Sequence, residues 1–168
     1  MIIIKCTCLF LIFIISTYIG FLKSKTFKTR LDELNNIQIS LNLFKNKIEY
    51  SNDTIESIFN FISKIVYENK ENIFINTAEN LGKEDIYMAW NNSVENFNYF
   101  KPDDKQIIKL FGKNLGKLEK KGQINQIDET ICLINKQIKI AEVEKDKNEK
   151  LYKSLGSIAG AIIVIILI

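Results

Sequence analysis

The chain has 168 residues and a net charge of +3, with no histidine and three cysteines. This length is typical of one domain, and the near balance of Lys and Glu argues against a nucleic-acid groove. Histidine, the commonest general base and metal ligand, is absent. Cys6, Cys8 and Cys132 have neither the spacing of zinc ligands nor that of a disulfide framework. We therefore expect no enzyme activity, cofactor, metal or small-molecule substrate.

The first predicted element is an apolar segment over residues 2–22, in which Lys5 is the only charged residue. As a helix it would be about 30 Å long, the thickness of a hydrocarbon core. A cleaved signal peptide is the alternative, but the segment begins with a single Lys and carries the bulky Tyr18 and Ile19 where small residues should precede cleavage. We therefore predict a retained transmembrane helix over residues 1–22.

Two amphipathic stripes, with apolar residues three and four apart, predict two long helices in the middle of the chain. The stripes are Leu31, Leu34, Ile37, Leu41, Phe44 and Ile48, and Ile124, Ile127, Ile131, Ile134, Ile138 and Ala141. Because each stripe adjoins an apolar terminal segment, the simplest architecture packs the two helices against each other. The predicted fold class is all-α: a helical bundle with two long helices, flanked by an N-terminal and a C-terminal transmembrane segment.

Shorter helices are predicted between the two long ones. Asp53 followed by Glu56 has the pattern of a capping box at a helix start, and an element ends at Gly82. Trp90 lies on the apolar stripe of the next helix, which favours a core position over a ligand platform. Pro102 is expected to open the last short helix.

Acidic pairs and glycines in this region have two readings each. The pairs at residues 84–85 and 103–104 stand at predicted helix starts, where carboxylates complement the helix dipole, and this reading is favoured over catalysis. Gly112 and Gly116 are four residues apart. They predict either a close contact between helices or a loop.

The C-terminal apolar run, predicted as a transmembrane segment over residues 154–168, is short. Leu155 to Ile168 would extend only about 21 Å as a helix, so it needs help from flanking residues or a thinner bilayer. Gly156 and Gly160 lie four apart and would allow a second helix backbone to approach closely. The partner is either the N-terminal segment or another subunit, although glycines also occur in membrane helices for other reasons.

Basic residues flank both apolar ends on the side that faces the middle of the chain. They are Lys23, Lys25, Lys28 and Arg30 after the first segment, and Lys145, Lys147, Lys150 and Lys153 before the last. By the positive-inside rule both flanks are cytoplasmic. We therefore predict a cytoplasmic helical domain over residues 23–153, with both termini across the membrane.

A set of different short motifs is spread along nearly the whole chain. They are Ile48 to Tyr50, Ala89-Trp90 with Val94, Phe111-Gly112, Leu115-Gly116, Gln123, and Lys150-Leu151-Tyr152-Lys153-Ser154-Leu155-Gly156. In this order they resemble the stage III sporulation protein AB family of endospore-forming bacteria. Two positions depart from that pattern: residues 53–55 lack the family's proline, and Glu119 stands where the family usually has Asp.

The resemblance implies a component of the channel complex that links mother cell and forespore, located in the mother-cell membrane around the forespore. It implies a cytoplasmic domain similar to the type II secretion inner-membrane platform protein. The implied partners are the secretion-type ATPase and the other membrane subunits of that complex. It also implies interaction or packing roles for Trp90, Gly112, Gly116, Glu119, Gln123 and Tyr152.

The leading functional expectation is a non-enzymatic membrane platform in contact with membrane lipid and with no nucleic-acid partner. The alternative is a membrane-anchored, peripheral electrostatic binder of anionic lipid or nucleic acid, which would use the juxtamembrane lysines. Weak and steeply salt-dependent binding of polyanions would favour this alternative. A third reading, a secreted domain, would require processing near Gly20.

Overall fold

A computed structural model describes the backbone of residues 2–113 and 115–167, with the side chains of these residues apart from 2, 3, 5 and 6, so Lys5 and Cys6 lie outside the described side chains. The helices are α1 (Ile2–Tyr50), α2 (Ile55–Tyr67), α3 (Ile73–Asn80), α4 (Ile86–Asn96), α5 (Pro102–Gly112) and α6 (Lys120–Leu167). The described residues contain no strand, only an isolated bridge between Leu81 and Glu84. The all-α prediction with two long helices is confirmed.

The chain divides into two compact units. One, here called the helix-pair unit, comprises the chain up to Leu31 and from Ile140 onward; the other, the bundle unit, comprises Asp32–Lys139. Both units draw on α1 and α6, and the bundle unit also contains α2 to α5. The predicted limits at residues 22–23 and 153–154 concern the membrane boundary and stay a prediction.

The core of the bundle unit is an aromatic cluster to which each of the first five helices contributes one ring. Its members are Phe44, Phe59, Phe74, Trp90 and Phe111, all at most 1% exposed. Their ring centroids lie 4.9 to 5.8 Å apart in stacked, tilted and edge-to-face pairs. Because aromatic side chains bury large apolar areas, this cluster supplies much of the force that holds the short helices together.

Helix α6 closes the bundle unit with aliphatic side chains rather than rings. Ile127 and Ile134 are buried, as its predicted stripe requires. At the intervening turn, however, Thr130 is the fully buried residue and Ile131 is half-buried. Because a helix has 3.6 residues per turn, apolar residues spaced alternately by three and four gradually move away from the buried face of the helix. The Thr130 hydroxyl can be buried here because it donates a hydrogen bond to the Gln126 carbonyl oxygen at 2.9 Å.

The start of α2 corrects a prediction made from the sequence. Thr54, not Asp53, is the N-cap residue, and its hydroxyl accepts a hydrogen bond from the Ser57 N–H at 3.2 Å. The Asp53 carboxylate instead contacts Lys47 Nζ at 2.9 Å and the Ser51 hydroxyl. A nearby cation attracts the carboxylate more strongly than the exposed helix end does.

Side-chain caps also begin the next helices. Asn72 is fully buried before α3, and its side-chain oxygen accepts from the N–H groups of Phe74 and Ile75. Asp85 caps α4, and Asp104, in the first turn of α5, accepts from the Lys101 N–H at 2.9 Å. Asp85 and Asp104 thus lie at helix starts as predicted, where each carboxylate accepts from a backbone N–H group.

In the helix-pair unit, most apolar side chains are exposed. Both long helices are long and apolar enough to cross a membrane, and only 11% of each apolar window is buried inside the structure. The core helix of a water-soluble protein would be mostly buried. The exposed side chains include Phe10, Leu11, Ile15, Tyr18, Ile19, Ile158, Ile162, Ile165 and Ile166.

Candidate functional site

The first candidate site is the contact between α1 and α6 in the helix-pair unit. A methyl group placed on Gly156 would lie 2.9 Å from Gly20 Cα and 3.0 Å from the Ser16 carbonyl oxygen. A methyl group on Gly20 would lie 2.8 Å from Gly156 Cα. Such distances exclude any side chain at either glycine, so the two backbones are in direct contact.

Gly160 continues this contact one turn further along α6. A methyl group there would approach Phe13 Cδ2 and Ser16 Cβ, both to 3.1 Å. The Ser16 hydroxyl donates a hydrogen bond to the Gly156 carbonyl oxygen at 2.8 Å. Thus the structure brings Gly156 and Gly160 against α1 of the same chain, one of the two partners left open by the sequence.

Gly20 and Ser16 are functional candidates that the sequence reading missed. They are four residues apart, as are Gly156 and Gly160, so each helix offers a pair of small residues on one face. This four-residue spacing of small residues could have been used to predict a helix contact, but it lies within a long apolar segment, where small residues are easily overlooked.

At the other end of the helix-pair unit, aromatic and charged contacts replace the glycines. Tyr152, one of the predicted interaction or packing residues, stacks on Phe27 with ring centroids 5.5 Å apart. Arg30 forms an ion pair with Glu144 at 2.6 Å, and the side chains are 6% and 29% exposed. A pair so poorly exposed must retain both partners, because removing one would leave a buried charge.

The lysines that flank the apolar segments are mostly exposed. Lys153 contacts the Glu149 carboxylate at 2.7 Å, and this hydrogen bond lowers the pKa of Glu149. The other exposed members are Lys23, Lys25, Lys28, Lys147 and Lys150. Their charges are therefore accessible to an anionic surface.

In the bundle unit, the predicted residues Trp90 and Gly112 meet each other. The Trp90 indole N–H donates to the Ile108 carbonyl oxygen at 2.9 Å. A methyl group on Gly112 would lie 2.7 Å from Trp90 Cγ. Only glycine therefore fits at the end of α5, and Trp90 is a fully buried core residue.

Gly116 has a different role from Gly112, although the two were predicted together. It lies after α5 with a φ of +75°, in the left-handed region that glycine adopts without strain. A methyl group there would also come within 3.2 Å of Ile55 Cδ1. The turn at Gly116 thus lies beside Ile55, at the start of α2.

Glu119 and Gln123 lie at the same end of the bundle unit. Glu119 is exposed, and its carbonyl oxygen accepts from the Gln123 N–H at 3.0 Å. The Gln123 side-chain amide donates to the Leu118 carbonyl oxygen at 2.8 Å. Gln123 therefore fixes the loop that precedes α6, and nothing in this geometry requires an Asp in place of Glu119.

An open pocket of about 260 Å³ lies at this end of the bundle unit, here called the end pocket. Its lining residues are Ile48, Ser51, Asn52, Asp53, Ile55, Ile58, Lys120 and Gln123. Three isoleucines form an apolar surface and the others form a polar rim.

Other reactive groups are few. Among the described residues searched, no group of three His, Cys, Asp or Glu side chains could hold a metal ion. Cys8 and Cys132 are exposed free thiols. Burial raises the pKa of Glu33 and of Tyr67, and the Tyr67 hydroxyl lies near Ser40 in the bundle unit.

Comparison with known proteins agrees with the resemblance seen in the sequence. The sequence model of the stage III sporulation protein AB family matches residues 5–168. The stage III sporulation protein AB of Bacillus subtilis (strain 168) is 24% identical over 161 residues, which covers 93% of this chain and 94% of that protein. No solved structure gives a significant match. The chain therefore belongs to the stage III sporulation protein AB family.

Proposed function

We propose that this protein is a non-enzymatic membrane platform of a secretion-like channel between mother cell and forespore. Family membership supports a role in sporulation. The observation that carries the platform role is the backbone contact between Gly20 and Gly156, reinforced by the Ser16 hydrogen bond. A tightly paired membrane hairpin provides a rigid base on which other subunits can assemble.

The proposed orientation places the bundle unit in the mother-cell cytoplasm and both termini across the membrane that surrounds the forespore. Its support is the set of lysines beside each apolar segment, most of them exposed. The pairing of Lys153 with Glu149 does not weaken this support, because the positive-inside rule counts Lys and Arg rather than net charge. The excess of cations thus points to one side of the membrane.

The proposed partners are the secretion-type ATPase on the cytoplasmic side and the other membrane subunits of the channel. The bundle unit supports an ATPase contact because its fold is fixed by an aromatic core, which leaves the helix ends and loops for recognition. The lipid-facing side chains of the helix-pair unit are available to other membrane subunits.

Orientation is tested by thiol labelling in a variant without native cysteines. Lys70→Cys gives an exposed thiol in the bundle unit, whereas neighbouring Asn72 is fully buried and unsuitable. We expect a membrane-impermeant reagent to label this thiol only after lysis. Labelling in intact cells would overturn the orientation.

The platform role is tested by purification from sporulating cells under gentle detergent. We expect the ATPase and other membrane subunits to come with the protein, and their recovery to fall when the helix pair is disrupted. Recovery of the full set with a disrupted helix pair would contradict the platform role.

The exposed juxtamembrane lysines also support a second candidate, electrostatic binding of anionic lipid or nucleic acid. Two results together would favour electrostatic binding over the platform role. The protein would bind anionic vesicles or DNA, and this binding would disappear as the salt concentration rises. Spores would also form normally although the channel subunits fail to copurify.

A further inference from the structure

We propose that the end pocket binds a segment of a partner protein in which an apolar side chain is flanked by carboxylates. This inference deepens, and rests on, the proposed platform role, since it assigns a docking point on the bundle unit. Its evidence is the combination of an apolar surface, a one-sided distribution of charge and a loop held in place beside the pocket.

The apolar part of the pocket has the size and lining for a side-chain anchor. Ile48 and Ile55, from two helices, are half-buried and face a volume of about 260 Å³, which is enough for a Leu or Phe side chain and several waters; Ile58 also lines it but is only 1% exposed. Tyr50, at the end of α1 beside the rim, is 81% exposed, and Leu118 is 40% exposed. An arriving apolar residue would therefore find more apolar surface at the rim than the pocket alone offers.

Charge around the pocket is unevenly distributed. Residues 113–121 carry four exposed lysines and Glu119 as their only acid. The lysines are Lys113, Lys117, Lys120 and Lys121, of which Lys120 lines the pocket itself. On the opposite rim Asp53 is already paired with Lys47, which lowers the pKa of Asp53. A partner's carboxylates are therefore expected on the α5–α6 side.

The part of the loop that the structure describes after residue 114 is held in place. Gly116 adopts a left-handed conformation beside Ile55, a residue that lines the pocket, and a methyl group on Gly116 would lie 3.2 Å from Ile55 Cδ1. Lys120 Nζ donates to the Glu49 carbonyl oxygen, and Gln123 holds the Leu118 carbonyl oxygen. A cation that is already held in place, as Lys120 is, loses less entropy when a carboxylate arrives, which strengthens and orients the contact.

The test is a selection of random dodecapeptides displayed on phage against the full-length protein in nanodiscs. We expect the enriched peptides to combine Leu, Ile or Phe with neighbouring Asp or Glu. Enrichment of basic or purely polar peptides, or no enrichment above empty nanodiscs, would overturn the proposal.

The site of binding is tested with the best selected peptide. Lys117→Glu with Lys121→Glu should weaken its affinity by about tenfold or more. Lys83→Glu with Lys136→Glu makes the same charge change at exposed positions outside the loop and should leave the affinity within about twofold. If both double variants weakened peptide binding equally, the effect would come from the overall charge of the protein, and a specific site would be refuted.

A bulky rim residue provides an independent check on the apolar anchor. Asn52 is exposed and lines the pocket, so Asn52→Trp should obstruct it and weaken peptide binding without unfolding the bundle unit. Asn98→Trp, at another exposed position, is the matched control. Unchanged binding by Asn52→Trp would show that the peptide lies elsewhere. Because these measurements use purified protein, they can fail while copurification of the channel subunits still succeeds.

Discussion

The helix-pair unit and the bundle unit use opposite kinds of side chain at their helix contacts. In the bundle unit, Trp90 and Phe59 are fully buried and stack with ring centroids 5.8 Å apart. In the helix-pair unit, Gly20 and Gly156 meet while Phe10 is 64% exposed. In water, buried aromatic rings stabilise a fold because they remove a large apolar area from the solvent. In lipid, the hydrophobic effect between helices is nearly absent, so small residues that allow close backbone contact are favoured instead.

The contrast predicts that adding bulk will be most damaging where the backbones touch. Gly156→Leu with Gly160→Leu should separate α1 from α6 and abolish channel assembly and heat-resistant spores, since Gly156 excludes even a methyl group and Gly160 leaves room for one only if its neighbours shift. The longer apolar side chains should keep the protein in the membrane and the bundle unit folded. Spore counts, membrane fractionation and thermal unfolding together measure this outcome.

The matched control for the glycine variant is Ala159→Leu, which adds bulk to α6 at an exposed position. We expect it to form spores normally. Normal spore yield from the double glycine variant would contradict the packing role and leave the C-terminal segment as a simple membrane anchor.

In the bundle unit, removal of bulk should cause the largest change in stability. Trp90→Ala would leave a cavity at the centre of the aromatic cluster and remove the hydrogen bond to the Ile108 carbonyl oxygen, so it should lower the free energy of unfolding by about 3–5 kcal/mol. Tyr50→Ala, at a side chain that is 81% exposed, should change it by less than about 0.5 kcal/mol. Urea denaturation of the full-length protein in detergent measures both. Similar stabilities would mean that the cluster is not the core.

Ion pairs in the two units should differ according to their burial. Arg30→Met would remove the ion pair with the partly buried Glu144 side chain in the helix-pair unit and should cost about 3 kcal/mol. Lys45→Met breaks a more exposed pair with Asp128 in the bundle unit and should cost no more than about 1 kcal/mol. A double-mutant cycle for each pair gives the coupling energies. Equal couplings would refute the dependence on burial.

The smallest expected effect concerns a carboxylate in the bundle unit. Burial raises the pKa of Glu33, so the folded state keeps its proton to higher pH than the unfolded chain. Stability attributable to this group therefore falls as pH rises from about 4.3, the ordinary value, through the raised pKa. Glu33→Gln should raise the melting temperature at neutral pH, and the gain should vanish below about pH 4.

Glu95 is the matched control for this pH experiment, because the hydrogen bond from Lys109 lowers its pKa. Glu95→Gln should give no gain at neutral pH, and any change should be a small loss. A gain of similar size from both variants would show that general charge reduction, and not burial of Glu33, is responsible.

Much of the fold was predictable because its signals are local. The apolar terminal runs, the long amphipathic stripes and the helix start at Pro102 follow from chain length, hydrophobic period and backbone chemistry. The paired apolar ends and ordered motifs also sufficed for the family resemblance, which the family match confirms. The exception was the start of α2, where Lys47 attracts Asp53 away from the helix end.

The contacts that define the candidate sites depend instead on residues far apart in the chain. Nothing near Gly20 shows that it meets Gly156, and the same four-residue spacing that made Gly112 and Gly116 look equivalent conceals their different roles. Likewise, Thr130 rather than Ile131 fills the α6 seam because the relative placement of the helices selects the inner position. Amino-acid pattern specifies which residues can form helices and cross a membrane; the packing of whole helices specifies which of their small and polar residues come into contact.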